Sequence, residues 1–367
     1  MAGRLWVGTR KGLIRWECHR GQWSIQKTDF LGAHVTMVCA SEQSDTVYAC
    51  LKHGHFGAKV HRSDDGGQTW KEIATPTYPP KPDDVPDIID PIRNKPIPWS
   101  LDMIWAMEGS NQSRLWCGTL PGGLFSSDDR GESWQLNMPL WNCPNRQHWF
   151  GGGYDLPGIH SICIDPKDAN IVTLAISCGG VWQTRDGGHT WAVRANGMRA
   201  EYMPPDQAFN PDVQDPHRMV QSPSHPDVFW VQHHNGIFRT INGCQDWVEY
   251  PHVKPSGFGF AVAVHPKNPE MAWFVPACKD ADRYPVDGQF VVTRTSDGGR
   301  SFDILRQGLP QQHAYHLVYR HALEIDSEGQ WLTMGSTTGG LWGSSDFGDQ
   351  WQCLTQDLPP IYCLRMA

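Results

Sequence analysis

Ser63-Asp64-Asp65-Gly66-Gly67-Gln68-Thr69-Trp70 reads as a tight turn that delivers a tryptophan into the next strand. An Asp in such a turn accepts hydrogen bonds from backbone N–H groups two or more residues on. A glycine supplies positive φ, and the closing tryptophan carries a large apolar surface into the core. The octet recurs at residues 127–134, 184–191, 240–247, 295–302 and 344–351, and a worn copy ends at Trp23. Closing aromatic to closing aromatic, the spacings are 47, 64, 57, 56, 55 and 49 residues. A period of that size, built from short strands, predicts a radial or stacked repeat fold.

Apolar runs precede the turns, as in Gly180-Val181-Trp182-Gln183-Thr184 and Gly340-Leu341-Trp342-Gly343-Ser344. Each turn is therefore expected to join the third and fourth strands of a four-stranded sheet. The pattern Ser/Thr-x-Asp-x-Gly-x-Thr/Ser-Trp resembles the Asp-box (BNR) repeat of sialidases and related propellers, and the likeness covers nearly the whole chain. It implies an all-β, seven-bladed β-propeller of four-stranded blades, a single domain over residues 1–367. The start of the chain offers three strands with no leading one, and residues 361–366 are a lone apolar strand. The C-terminal strand is thus expected to join the N-terminal blade and close the ring, leaving no open edge.

In that family the box is structural and lies on the face away from the active site, so it implies the fold and not sialidase activity. A sialidase also needs three arginines, a Tyr–Glu nucleophile pair, an Asp acid and a Phe/Tyr-Arg-Ile-Pro segment. That segment is absent; Pro91-Ile92-Arg93 has another order. No motif marks Arg146, Arg218, Arg283 and Arg320 as a triad.

The net charge of −8, with no Lys/Arg run, argues against nucleic acid as a partner. No signal-type apolar segment and no membrane-spanning stretch stands out. Eleven cysteines without a C-x-x-C pair, most of them inside apolar strands, read as reduced thiols of a cytoplasmic protein.

Three loops are long: residues 75–99, 138–159 and 196–216. They are rich in Trp, Tyr, Arg and Asp, and are expected to form a binding wall or lid on one face. Polar turns add His53 and His55, His233 and His234, and residues 279–283 to the same face. Aligning inner strands on the turns that follow them places His34, His160, His217 and His321 in one column, with Met103 and Phe260 in blades three and six. Equivalent inner-strand positions surround the axis, so these four are the predicted ligands of a transition metal (Fe, Cu or Zn). The arrangement resembles, in architecture alone, the four-histidine iron site of carotenoid-cleavage oxygenases. No organic cofactor is indicated.

The expected catalytic groups near the metal are Arg218, Tyr154, His233, His234 and Glu324. The expected substrate-binding groups are Trp149, Tyr202, Arg146, His53, His55 and Arg320. The first functional reading is a metal-dependent enzyme acting on a small molecule, by Lewis-acid or dioxygen chemistry. A metal-free glycoside hydrolase or lyase is the second, its carboxylates drawn from Asp102, Asp155, Glu201, Asp206 and Asp215 and its partner a carbohydrate. The third is a non-catalytic binding or assembly scaffold.

Overall fold

A computed structural model describes residues 3–41, 43–110 and 114–367. Seven four-stranded antiparallel sheets stand in a ring, each ordered from an inner to an outer strand. Blade two, for example, runs outward as His34–Ser41, Ser44–Lys52, Ala58–Ser63 and Lys71–Ile73. Blade one takes its inner strand from the far end of the chain. Ile361–Met366 pairs antiparallel with Gly3–Thr9, Leu364 opposite Val7.

The turn chemistry is the same in blades two, three, four and six. Ser63 Oγ donates to Asp65 Oδ1 at 2.7 Å and accepts from Gly67 N at 2.7 Å. Asp65 accepts from the N–H of Gln68 and Thr69 and from the Thr69 hydroxyl. Ser127–Asp129–Ser133, Thr184–Asp186–Thr190 and Thr295–Asp297–Ser301 repeat this. Gly67 has φ +81°, but conformation is only half its role. A Cβ there would lie 2.2 Å from Trp6 of the preceding blade, and one on Gly299 would lie 2.3 Å from Tyr250. At these two turns the glycine lets the chain lie flat on an aromatic of the preceding blade.

These aspartates are held low by the donors around them, the Ser133 and Ser301 hydroxyls first. Asp129 and Asp297 fall from the ordinary 3.8 to about 2. A folded-state value below the unfolded one adds stability that is complete above the unfolded pKa and is lost as pH falls through the folded one. Thermal melts should hold steady down to about pH 4 and decline steeply towards pH 2. Replacing Asp129 and Asp297 with Asn together should flatten that decline; an unchanged acid profile would show that the turns do not govern it.

The core fills the gaps between blades rather than the middle of the ring. Trp6, Trp116, Trp230, Trp273 and Trp342 are fully buried there, each removing about 150–250 Å² from water. The axis is left as a channel, and the inner strands approach it in a specific way. Thr36, Trp105, His160, His217 and Tyr362 are each the unpaired extra residue of a β-bulge in blades two, three, four, five and one. Blade six has the same irregularity at Phe260 and Ala261. A bulge turns its extra side chain out of the pleat, and here it places a ring of side chains near one mouth of the channel.

Candidate functional site

The three long loops do meet on that face, and hydrogen bonds lock them together. Asp90 of the first is buried and accepts from Gly151 N at 2.9 Å in the second. Arg93 binds the Gly151 carbonyl and reaches Asp155 at 3.2 Å. Asp212 of the third loop accepts from Asn145 at 2.8 Å and meets His148 at 3.1 Å.

Beneath this wall lie two adjoining cavities that share Gly153 and Arg283. One, of about 230 Å³, holds Asp215, His217 and His234, with Tyr202, Phe260 and Arg283 around them. Asp215 Oδ2 lies 3.3 Å from His217 Nε2 and 3.5 Å from His234 Nδ1. Its other oxygen accepts from Ser177 Oγ at 3.1 Å and Cys178 N at 3.2 Å, so Oδ2 is the one left for chemistry. His217 is stacked on Phe260 (4.6 Å, 13°), and its Nδ1 meets the Gly259 carbonyl at 2.7 Å. Because a carbonyl only accepts, Nδ1 carries a proton; in the neutral imidazole the Nε2 lone pair then faces Asp215, whereas the imidazolium donates to it.

Burial alone would raise the Asp215 carboxyl, but His217 and His234 outweigh it and hold it well below the usual range. Burial lowers His217 against the pull of Asp215. It opposes charge on His234 as well, yet Asp215, Asp280 and Glu201 prevail and raise that imidazole.

The second cavity, of about 170 Å³, sits at the channel mouth under Tyr154, Tyr319 and Tyr362. Trp105 and Arg320 form its floor, the guanidinium carbon 4.5 Å from the indole centroid. His34 also lines it, its ring 5.1 Å from Tyr362, and is lowered to about 4 by burial and by Arg10 and Lys52.

Gly151-Gly152-Gly153 runs over both cavities. A Cβ on Gly152 would lie 2.6 Å from Ser177 Oγ, 2.9 Å from Cys178 Sγ and 3.3 Å from Asp215 Oδ2. Gly152→Ala is therefore an overpacking change, expected to cost about 1–3 kcal/mol and to displace Asp215. Denaturant melts together with ligand or metal titration would check it; unchanged stability and binding would mean the loop is free to lift.

The four predicted histidine ligands do not converge. Among the described residues, the group that brings three donor atoms within 4.8 Å of one another is Asp215, His217 and His234, and of the four it contains His217 alone. His160 has both nitrogens engaged, Nε2 on the Pro216 carbonyl at 2.7 Å and Nδ1 on Ser161 Oγ at 2.9 Å. His34 lies two residues before its bulge, and His321 lies beside Cys363 of blade one. The inner strands differ in length, so counting back from the turn does not reach equivalent positions.

Other predicted groups also move. Arg218 and Glu324 belong to the opposite stretch of the channel, where Arg365 pairs with Glu108 (2.6 Å) and Glu324 (3.8 Å). His233 is fully buried and its Nε2 accepts from Asp215 N–H at 3.0 Å, which positions the acid's backbone. Trp149 is sealed in an inter-blade gap against Trp182, and Arg146 lies on the face of Trp141. His53 and His55 are exposed and line neither cavity.

Tyr202, Tyr154 and Arg320 do line the cavities, as expected of binding groups. Of the carboxylates, Asp102 is paired with Lys52 at 2.7 Å, Asp155 with Arg93, and Glu201 with Arg199 at 3.7 Å; Asp206 is exposed. Of these five, Asp215 is the one that lines either cavity, where Asp280 accompanies it. Trp105, Tyr319 and Tyr362 were not singled out by the sequence.

No family model matches the chain, and no curated protein matches it. Solved structures do share its fold. A GH74 enzyme of Niastella koreensis is 16% identical (TM-score 0.65), over 96% of this chain and 52% of that one. This chain thus spans about half the length of that enzyme. The periplasmic gluconolactonase of Pseudomonas aeruginosa is 12% identical (TM-score 0.62), over 100% and 99%. YCF48 bound to D1 peptide is 13% identical (TM-score 0.53), over 88% and 81%. At these identities the likeness is one of fold.

Proposed function

We propose that the protein is a metal-assisted hydrolase of a small molecule, with Asp215, His217 and His234 as the ligands, on a propeller of the Asp-box kind. The observation that carries this is the His217 ring held between the Gly259 carbonyl at Nδ1 and Asp215 Oδ2 at Nε2. A neutral imidazole has one N–H, and the Gly259 carbonyl takes it. A lone pair and a carboxylate oxygen then confront each other at 3.3 Å, an arrangement stabilised by a cation between them. Zinc at about 2.0–2.1 Å from two tetrahedral ligands sets those atoms roughly 3.3–3.4 Å apart, close to the 3.3 and 3.5 Å spacings here.

The supports around the ligands fit the same role. A carbonyl fixes the His217 tautomer, and a hydroxyl and an amide fix the carboxylate, as outer contacts do at metal sites. A metal so held supplies Lewis acidity and an activated water. Tyr202 and Phe260 wall the cavity, and Arg283 extends from it towards the channel mouth. The hydrolases among the solved structures of this fold favour hydrolysis. The same ligand set also serves non-haem iron oxygenases, which keeps dioxygen chemistry as the second reading. Eleven free thiols fit a reducing compartment.

The test is a screen of lactones, glycosides and esters on chelator-treated protein, with Zn, Mn and Fe added back singly and oxygen uptake followed in parallel. Hydrolysis restored by one metal is expected. Oxygen uptake with iron selects the second reading, and turnover that ignores chelation rejects both.

A further inference from the structure

Arg320 is 4% exposed. Among the described residues no carboxylate pairs with it, and its Nε and Nη2 have no hydrogen-bond partner. At the other stretch of the channel Arg365 finds Glu108 and Glu324. A buried guanidinium left unpaired is costly, and the contacts with Trp105 at 4.5 Å and Phe260 at 5.4 Å offset only part of that. His321, in the same lining, also has a buried Nε2 without a partner. No acidic residue lines this cavity, although the chain carries eight more acids than bases. Above Arg320 the chain has Gly153, where a Cβ would lie 3.2 Å from Nη2, so that position itself places no side chain over the guanidinium.

We infer that the channel-mouth cavity is an anion subsite in which Arg320 receives the carboxylate of the small molecule transformed beside it at Asp215, His217 and His234. The second half of this statement rests on the proposed hydrolase; the subsite itself does not. An arginine fork matches a carboxylate through two parallel N–H donors. Tyr154, Tyr319 and Tyr362 frame the entrance with hydroxyl-bearing rings. Arg283, shared by both cavities, is held by Asp280 at 2.9 Å, so its charge is already balanced and Arg320 is left as the receiving group. The ligand predicted is a small organic acid that spans from the channel mouth to the neighbouring cavity.

Calorimetric titration of the full chain with acetate, benzoate and glucuronate, each against its uncharged amide, and with inorganic phosphate, tests this. At least one carboxylate should bind, tenfold or more tighter than its amide. Arg320→Met should weaken it at least tenfold and Arg320→Lys less so, while Asp215→Asn should leave it in place. The melting temperature of Arg320→Met should be equal to or above that of the parent, since an unpaired buried charge is removed. Absence of carboxylate binding, equal binding of the amide, preference for phosphate over every acid, or a sharply lowered melting temperature in Arg320→Met would each overturn the inference. Carboxylate binding in a protein that takes up no metal would sink the hydrolase reading and leave the subsite standing.

Discussion

A chain ending at residue 360 is expected not to fold cooperatively. Ile361–Met366 is the inner strand of blade one, and its removal does two kinds of damage. Ile361, Cys363, Leu364 and Met366 are buried; losing such side chains costs about 1.5–3 kcal/mol for each large one. The sum approaches the roughly 5–15 kcal/mol that holds a typical domain. The backbone loss is as serious. Gly3–Thr9 would become an open inner edge, the Arg4–Ala367 backbone pair would go, and the His321 carbonyl would lose Leu364 N at 2.7 Å. Glu108 would lose Arg365, leaving a half-buried acid unpaired. Circular dichroism melts would read the result: a broad, non-cooperative transition and aggregation for the truncated chain. A sharp transition within a few degrees of the full protein would mean that the ring does not need its closure.

Asp215→Asn is expected to abolish metal uptake and to lower turnover by at least about 100-fold, more than the 10–100-fold typical of a change in an outer contact. The amide keeps the acceptor that Ser177 and Cys178 N address. What changes is the atom facing His217 and His234, where a neutral group replaces a carboxylate. The fold should persist, because the volume is unchanged. Metal analysis on the purified variant, beside its melting curve, separates loss of the site from loss of structure. Stoichiometric metal in Asp215→Asn would remove Asp215 from the ligand set.

How much of this was written in the sequence depends on the range of the interactions involved. The turns were legible because their chemistry is local: Ser63, Asp65, Gly67 and Thr69 satisfy one another within seven residues. Closure followed from counting strands, since one blade lacked a strand and the chain end offered one. The second function of Gly67 was not legible, because Trp6 comes from another blade.

The site was read less well, for a physical reason. The rank of histidines assumed that inner strands are equivalent when aligned on their following turns, but a bulge adds a residue in those of blades two, four and five and none in Leu323–Ile325 of blade seven, and the strands differ in length. Bulges leave no mark in a single sequence. His160 and His217 are both bulged residues, but His217 alone turns to Asp215; in the strand of His34 the bulged residue is Thr36. Trp149 and Arg146 looked like loop groups available to a ligand, yet the 138–159 loop folds inward and spends them on packing. Asp215 was one of five loop acids until the strand register brought its free oxygen to two imidazoles.

Diffraction data collected on either side of a metal edge, from crystals grown with one equivalent of Zn or Fe, decide whether Asp215, His217 and His234 hold an ion. One strong anomalous peak is expected, bonded to Asp215 Oδ2, His217 Nε2 and His234 Nδ1 at about 2.0–2.2 Å. A peak among His34, His160 and His321, or an empty site with His217 simply salt-bridged to Asp215, would contradict it.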